Sequence, residues 1–236
     1  LAILSVWMGR YIEIVGEKSS ESIADTLING IFGRVTGDAG SRFVIAIGQA
    51  IFLVLFLILY GDCIAARQRI GAVYFFSRIS NRKKWILKEF VWLLFYSVLY
   101  TFCFVGMHMI FSIWGSSEAD LSGTLFKVAF QIGLFLTLLL FEMAVLCNLF
   151  CAAGGSAIGI LLSMLCVIGL IMWSTAEVDG MVSEMINPMW LSVDIIENGG
   201  SYIQKIIIVF LQTAICAVGT GYYLAKRDLF AREGEG

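Results

Sequence analysis

One proline and one histidine occur in 236 residues, and charged residues make up only 14% of the chain. A single proline argues against disordered linkers, which are rich in it. A single histidine excludes the HExxH chemistry of metalloproteases, which needs two. No phosphate-binding loop of the form GxxxxGK followed by Ser or Thr is present. Gly16-Glu17-Lys18-Ser19 has the wrong arrangement, so the chain does not bind ATP by that route. Net charge is −2 and pI about 5.5, which gives no overall basic footprint for nucleic acid. What the chain has in abundance is apolar side chain: 59% of residues, with a mean hydropathy of +0.89. Globular chains run about 45–50% apolar and about 25% charged. Surface-to-volume scaling leaves a water-soluble domain of this size too little interior to hide the excess. Lipid must be the solvent for most of the chain. A secreted domain, a cytosolic enzyme and a nucleic-acid-binding protein are excluded together.

The six cysteines do not read as a disulfide framework. Cys103, Cys147, Cys151, Cys166 and Cys216 lie inside apolar runs, and only Cys63 sits beside charged residues. Cysteine in such runs behaves as a small hydrophobe. Cys147 and Cys151 are one helical turn apart, but a third and fourth ligand for a metal are missing. No signal peptide is read, because Leu1 already opens an apolar run that contains Arg10. Without an initiator Met, the chain is expected to begin partway into the protein.

A bilayer core takes about 20 apolar residues as a helix. Six spans are expected, at 1–16, 42–61, 90–114, 124–151, 156–175 and 203–225, forming one transmembrane domain over 1–236. The fourth is longer than required, which implies tilt or an interfacial end. Between spans four and five lies only Ala152-Ala153-Gly154-Gly155, a tight hairpin. Orientation follows from Lys and Arg. Segment 61–90 holds Arg67, Arg69, Arg78, Arg82, Lys83, Lys84 and Lys88, and the tail adds Lys226, Arg227 and Arg232. The opposite side holds only Lys18, Arg34 and Arg42. The basic side is expected to be cytoplasmic, with both termini on it. Arg10, Lys127 and Lys205 lie near span ends and are expected to snorkel.

The stretch 62–89 is more than a plain loop. Ile70, Val73 and Tyr74 share a helical face, while Arg67, Arg69 and Arg78 fall elsewhere. An interfacial helix on anionic headgroups fits this pattern, and so does a docking element for a cytoplasmic partner. Asn81 has the character of an N-cap for the third span. Arg82, Lys83 and Lys84 then load its first turn, where the helix dipole disfavours each cation by about 0.3–1 kcal/mol. Lipid phosphate or an acidic partner surface would offset that. On the other side, Asn187-Pro188 is a helix-start signal. Met189, Trp190, Val193 and Ile196 follow as an apolar stripe, and Asn198-Gly199-Gly200 stops it. A short helix at 188–197 is expected to lie on the outer leaflet, with Trp190 at headgroup depth.

Glu142 is an acidic residue deep in an apolar span, and His108 is a titratable group in the third. Intramembrane ionisable groups cost several kcal/mol, about 2.5–3.5 on insertion scales for the related Asp. They mark pathways or internal bundle contacts. Gly154-Gly155-Ser156-Ala157-Ile158 lacks the last glycine of a nucleophile elbow, and Ser156 and His108 fall near opposite faces. Gly155, Gly159 and Ser163, and separately Ala217, Gly221 and Ala225, form small-residue series suited to close helix packing, within the chain or between subunits.

The layout resembles the export-type ABC transporter permeases. The run Tyr74-Phe75-Phe76-Ser77-Arg78-Ile79-Ser80-Asn81-Arg82-Lys83-Lys84-Trp85 is similar to that of small bacterial six-span permeases of the antimicrobial-peptide (lantibiotic-type) export and immunity kind. The ending Lys226-Arg227-Asp228-Leu229-Phe230 also looks like theirs. The amphipathic helix expected before the first span is absent. The resemblance implies an all-α polytopic membrane protein with a cytoplasmic coupling elbow and no enzymatic centre or cofactor of its own. ATP and Mg would belong to separate ABC ATPase subunits. A second permease chain, the same or related, would complete the path in a bacterial plasma membrane. Arg67, Arg69, Tyr74, Phe75, Arg78, Arg82, Lys83 and Lys84 would then form the ATPase-docking elbow. A secondary transporter or channel subunit, or a non-transporting anchor, is the competing reading.

Overall fold

The computed structural model describes residues 27, 31, 39–71, 82–115, 123–175, 186–189, 195–196 and 198–226. The expected first span at 1–16 lies outside the described residues. Six helices follow in order: α1 (Ala39–Tyr60), α2 (Cys63–Gly71), α3 (Arg82–Gly115), α4 (Gly123–Gly154), α5 (Ser156–Thr175) and α6 (Gly199–Lys226). No strand occurs among the described residues. Five stretches are long and apolar enough to cross a membrane: Ala50–Arg69, Arg82–Ile110, Leu125–Gly154, Ser156–Trp173 and Gly199–Lys226. The first runs through the two-residue turn Gly61-Asp62 into α2. At 34 residues α3 is about 51 Å long, well beyond a hydrocarbon core of about 30 Å. It starts eight residues before the span expected from hydropathy, because its basic first turn is helical too.

The third of these stretches, Leu125–Gly154 on α4, is the centre of the bundle. Of its most apolar stretch 72% is buried, against 22–39% for the other four. Ile132, Phe135, Leu139, Leu140, Ala144 and Cys147 fill the core. A helix that is apolar all round belongs in an interior. Helices α1, α3, α5 and α6 pack around α4. The outward faces of α3 and α6 carry Phe102, Ile215 and Val218, each more than 70% exposed, and the near end of α4 carries Phe130, exposed to the same degree. Water would not tolerate that surface, and lipid does.

The α4–α5 hairpin falls where the small residues predict. Gly155 turns it with φ +94°, a backbone that L side chains rarely adopt. One turn later Gly159 lies so close to α4 that a Cβ there would sit 2.3 Å from the Cys151 nitrogen. Gly221 on α6 faces Phe90 of α3. Both small-residue series therefore serve packing within the chain.

Helices α1 and α3 meet through aromatic rings in antiparallel register. Tyr60 stacks on Tyr96 at 4.9 Å, Phe56 meets Tyr100 at 5.1 Å, and Phe52 meets Phe104 at 4.1 Å. The Tyr100 hydroxyl donates to the Phe52 carbonyl at 3.1 Å.

Candidate functional site

Two polar regions interrupt the apolar bundle. The first is at its basic end, where α2 begins. The N-terminal amides of a helix have no partners within it, and an N-cap side chain usually accepts from the second and third. Asp62 holds the cap position of α2, with its carbonyl accepting from Ala66 N. Its carboxylate is turned elsewhere: the Ser156 hydroxyl donates to Asp62 Oδ2 at 2.8 Å. The cap comes from α4 instead. Asn148 Oδ1 accepts from the amides of Ile64 at 2.9 Å and Ala65 at 3.1 Å, and Asn148 Nδ2 donates to the Ala144 carbonyl at 2.8 Å. Asn148 is fully buried, so these bonds are shielded from water.

The two arginines of α2 also meet the chain's own groups. Arg67 pairs with Glu89 of α3 at 2.5 Å. Arg69 donates to the Ser156 hydroxyl and lies 4.0 Å from Asp62. Each keeps about half its side chain exposed. Lys83 and Lys84 are exposed on the first turn of α3, and Arg82 is half-buried. Tyr74, Phe75 and Arg78, and the cap residue Asn81, lie outside the described residues. Sequence reasoning missed Asn148 and Asp62. The available signal was an amide inside an apolar run, close to a turn.

The second region is a seam between α4 and α6, which run parallel with a constant offset. Tyr202 donates to the Gln131 carbonyl at 2.8 Å, and Thr213 donates to Glu142 Oε2 at 3.3 Å; both pairs are 71 residues apart. The Cys216 thiol lies 3.8 Å from Glu142 Oε1. The inward face of α6 carries Tyr202, Lys205, Val209, Thr213 and Thr220. From Tyr202 to Thr220 the face spans about 27 Å. Glu142 is thus a bundle-interior carboxyl facing hydroxyl and thiol donors. His108 is not part of this seam. It is buried on α3 with its ring edge-on to Phe104 at 4.5 Å, and its Nε2 has no hydrogen-bond partner among the described residues.

Two expectations about the opposite end are corrected. Lys205 does not snorkel. It is 0% exposed, and its Nζ donates to the Asn187 carbonyl. Proximity to the helix end suggested escape to water, but Lys205 lies on the face turned to α4. The expected helix at 188–197 does not begin at Pro188, because Pro188 and Met189 form a turn. Met189 and Ile196 are 6% and 3% exposed, so they are buried in protein and not spread on a leaflet. Trp190 and Val193 lie outside the described residues.

Residues 187–189 are buried against the bundle, next to the exposed Ile186. Gln212, about 20 Å along α6 from Gly199, donates to the Ile186 carbonyl at 2.9 Å. Asn187 Nδ2 donates to the Leu170 carbonyl of α5 at 3.2 Å, and Asn187 Oδ1 accepts from Met189 N at 2.9 Å. Non-helical backbone buried in a bundle persists only when protein satisfies its polar groups, and at Asn187–Met189 the Asn187 side chain and Lys205 do so.

Among the described residues no group of three or more His, Cys, Asp or Glu could hold a metal ion. The Cys147 and Cys151 thiols are 3.9 Å apart, with the Gly159 and Ser156 carbonyls as their further neighbours. No family model matches the chain, and no curated protein or solved structure is significantly similar to it.

Proposed function

We propose that the chain is the transmembrane permease subunit of an ATP-driven ABC exporter, moving a peptide or other amphipathic substrate out of a bacterial cell. The observation that carries this reading is a short basic helix, α2, held at the end of the bundle where Lys and Arg are concentrated. Its neighbours in sequence, through Lys84, bear the family resemblance. In this reading the basic end is cytoplasmic and receives ABC ATPase subunits that bind ATP and Mg. A second permease chain, of the same or a related kind, completes the path. The short elbow helix presents Arg67 and Arg69 half-exposed, so each is able to meet a partner while anchored on its own chain.

The test is purification of the tagged chain with its genomic neighbours. An ATPase bearing a phosphate-binding loop is expected to be retained. Tyr74→Ala, Phe75→Ala, Arg78→Lys or Arg82→Lys should weaken retention or uncouple hydrolysis, because a protein cleft distinguishes Arg forks from Lys and lipid phosphate does not. Trp190→Ala should not. A parent chain that retains no such ATPase refutes the proposal.

One observation favours a second reading. Glu142 and Lys205, one ionisable group of each sign, are both buried along the inward face shared by α4 and α6. A secondary transporter would use such groups directly. Transport that persists in the absence of any ATPase would select it.

A further inference from the structure

The exchange of caps at the basic end carries an inference about how α2 acts. A helix capped by its own residue is free to swing as a unit. Here the capping oxygen belongs to α4, while the carboxylate at the cap position of α2 is held by the first residue of α5. Both helices of the α4–α5 hairpin are therefore bonded to the start of α2. We infer that Asn148 is the positioning residue of α2, making its first turn one mechanical unit with the α4–α5 hairpin. A protein bound to α2 would then move, or be moved by, the central helix of the bundle. The clause about a bound protein rests on the proposed exporter function; the positioning of α2 does not.

The other polar contacts of α2, including those of Asp62 and Arg69 with Ser156, do not reach the amides of Ile64 and Ala65. The Arg67–Glu89 pair and the Arg69 contacts act near or beyond its middle. They leave the amides of Ile64 and Ala65 without an acceptor if Asn148 is lost. Leucine matches asparagine in size and cannot accept. Aspartate keeps an accepting oxygen and places a carboxylate at the positive end of the α2 dipole.

The experiment compares the full chain with Asn148→Leu and Asn148→Asp in lipid nanodiscs. Amide hydrogen exchange is read at Ile64 and Ala65, with the second half of α5 as internal control. The expected result is exchange faster by tenfold or more in the Leu variant, near-parent rates in the Asp variant, and an unchanged control. Should the Leu variant fail to insert, Asn148→Ala replaces it in the same measurement. Parent-like protection without an accepting oxygen, or equal loss in the Asp variant, would overturn the inference. A second arm measures ATP hydrolysis coupled to transport. The Leu variant should keep its ATPase bound and lose coupling, and normal coupling with an opened α2 would overturn the mechanical link. A parent chain that binds no ATPase refutes the exporter reading, and the exchange arm then still decides whether Asn148 positions α2.

Discussion

Replacing Gly159 by alanine adds one methyl group at the tightest described contact between α4 and α5. The new Cβ would lie 2.3 Å from the Cys151 nitrogen, 2.4 Å from its Cα and 2.5 Å from its Sγ. Two of these three obstacles are backbone, so no rotamer change relieves them. Ordinary contact begins near 3.5 Å, and the helices must part by roughly 1 Å. A gap of that size forfeits a quarter to a half of each dispersion contact around it, and overpacked cores lose about 1–3 kcal/mol. The upper part of that range applies, because Gly155 fixes the hairpin four residues away and the Ser163 hydroxyl donates to the Gly159 carbonyl at 2.8 Å. A loss of about 3 kcal/mol lowers the folded-to-unfolded ratio by about a hundredfold. The assay is reversible unfolding of purified protein in mixed micelles of increasing denaturing detergent. Gly133, Gly169 and Gly219 supply the control, since a Cβ at each meets nothing within 4 Å. Alanine there should be neutral or gain up to about 1 kcal/mol from helix propensity. If Gly159→Ala unfolds at the same detergent fraction as Gly219→Ala, the close approach of α4 and α5 is refuted.

Three further outcomes are expected. Thr213→Val removes the hydroxyl donor to a buried carboxylate and should cost about 1–3 kcal/mol in the same unfolding assay; Glu142→Gln should remain assembled, and unaltered transport with unaltered pH dependence would assign Glu142 a purely structural role. Asn187→Ala removes a bond to α5 and a turn cap, and should cost about 1–2 kcal/mol. Its hydrogen exchange should rise around 186–189 and stay unchanged in α2; equal exchange in both segments would contradict the burial of 187–189 against the bundle. In a cysteine-free background, Glu118→Cys and Asp194→Cys should react with an impermeant thiol reagent on intact cells and Lys83→Cys should not. Labelling at 83 would reverse the orientation.

The residues announced the bundle better than they announced its joints. Span five, expected at 156–175, is α5 with the same bounds, because Gly155 and the apolar run leave the helix no other place to start. The tight hairpin before it was legible for the same reason. Lys205 was misread because distance from a span end says nothing about facing. Its spacing from Tyr202, Val209 and Thr213 places it on the inward stripe, and that spacing was available. Asn148 escaped notice because attention to charge passes over an amide. Its partners are backbone amides more than 80 residues away, which leave no mark in composition or periodicity. Arg67 and Arg69 read as a surface for something else, and the carboxylates they meet, Glu89 and Asp62, come from distant and adjacent positions alike.

The parallel pairing of α4 with α6 has a consequence for biosynthesis. Glu142 is translated 71 residues before Thr213, the hydroxyl that donates to it. At about 5–20 residues per second, the carboxyl of α4 waits roughly 4–14 s for that partner. During this interval α4 is in or beside the insertion machinery with an uncompensated acidic group. The α4–α5 hairpin, whose contacts are local, is complete in the chain before α6 is synthesised. The seam between α4 and α6 is therefore completed only when α6 is made, and until then Glu142 lacks the Thr213 hydroxyl.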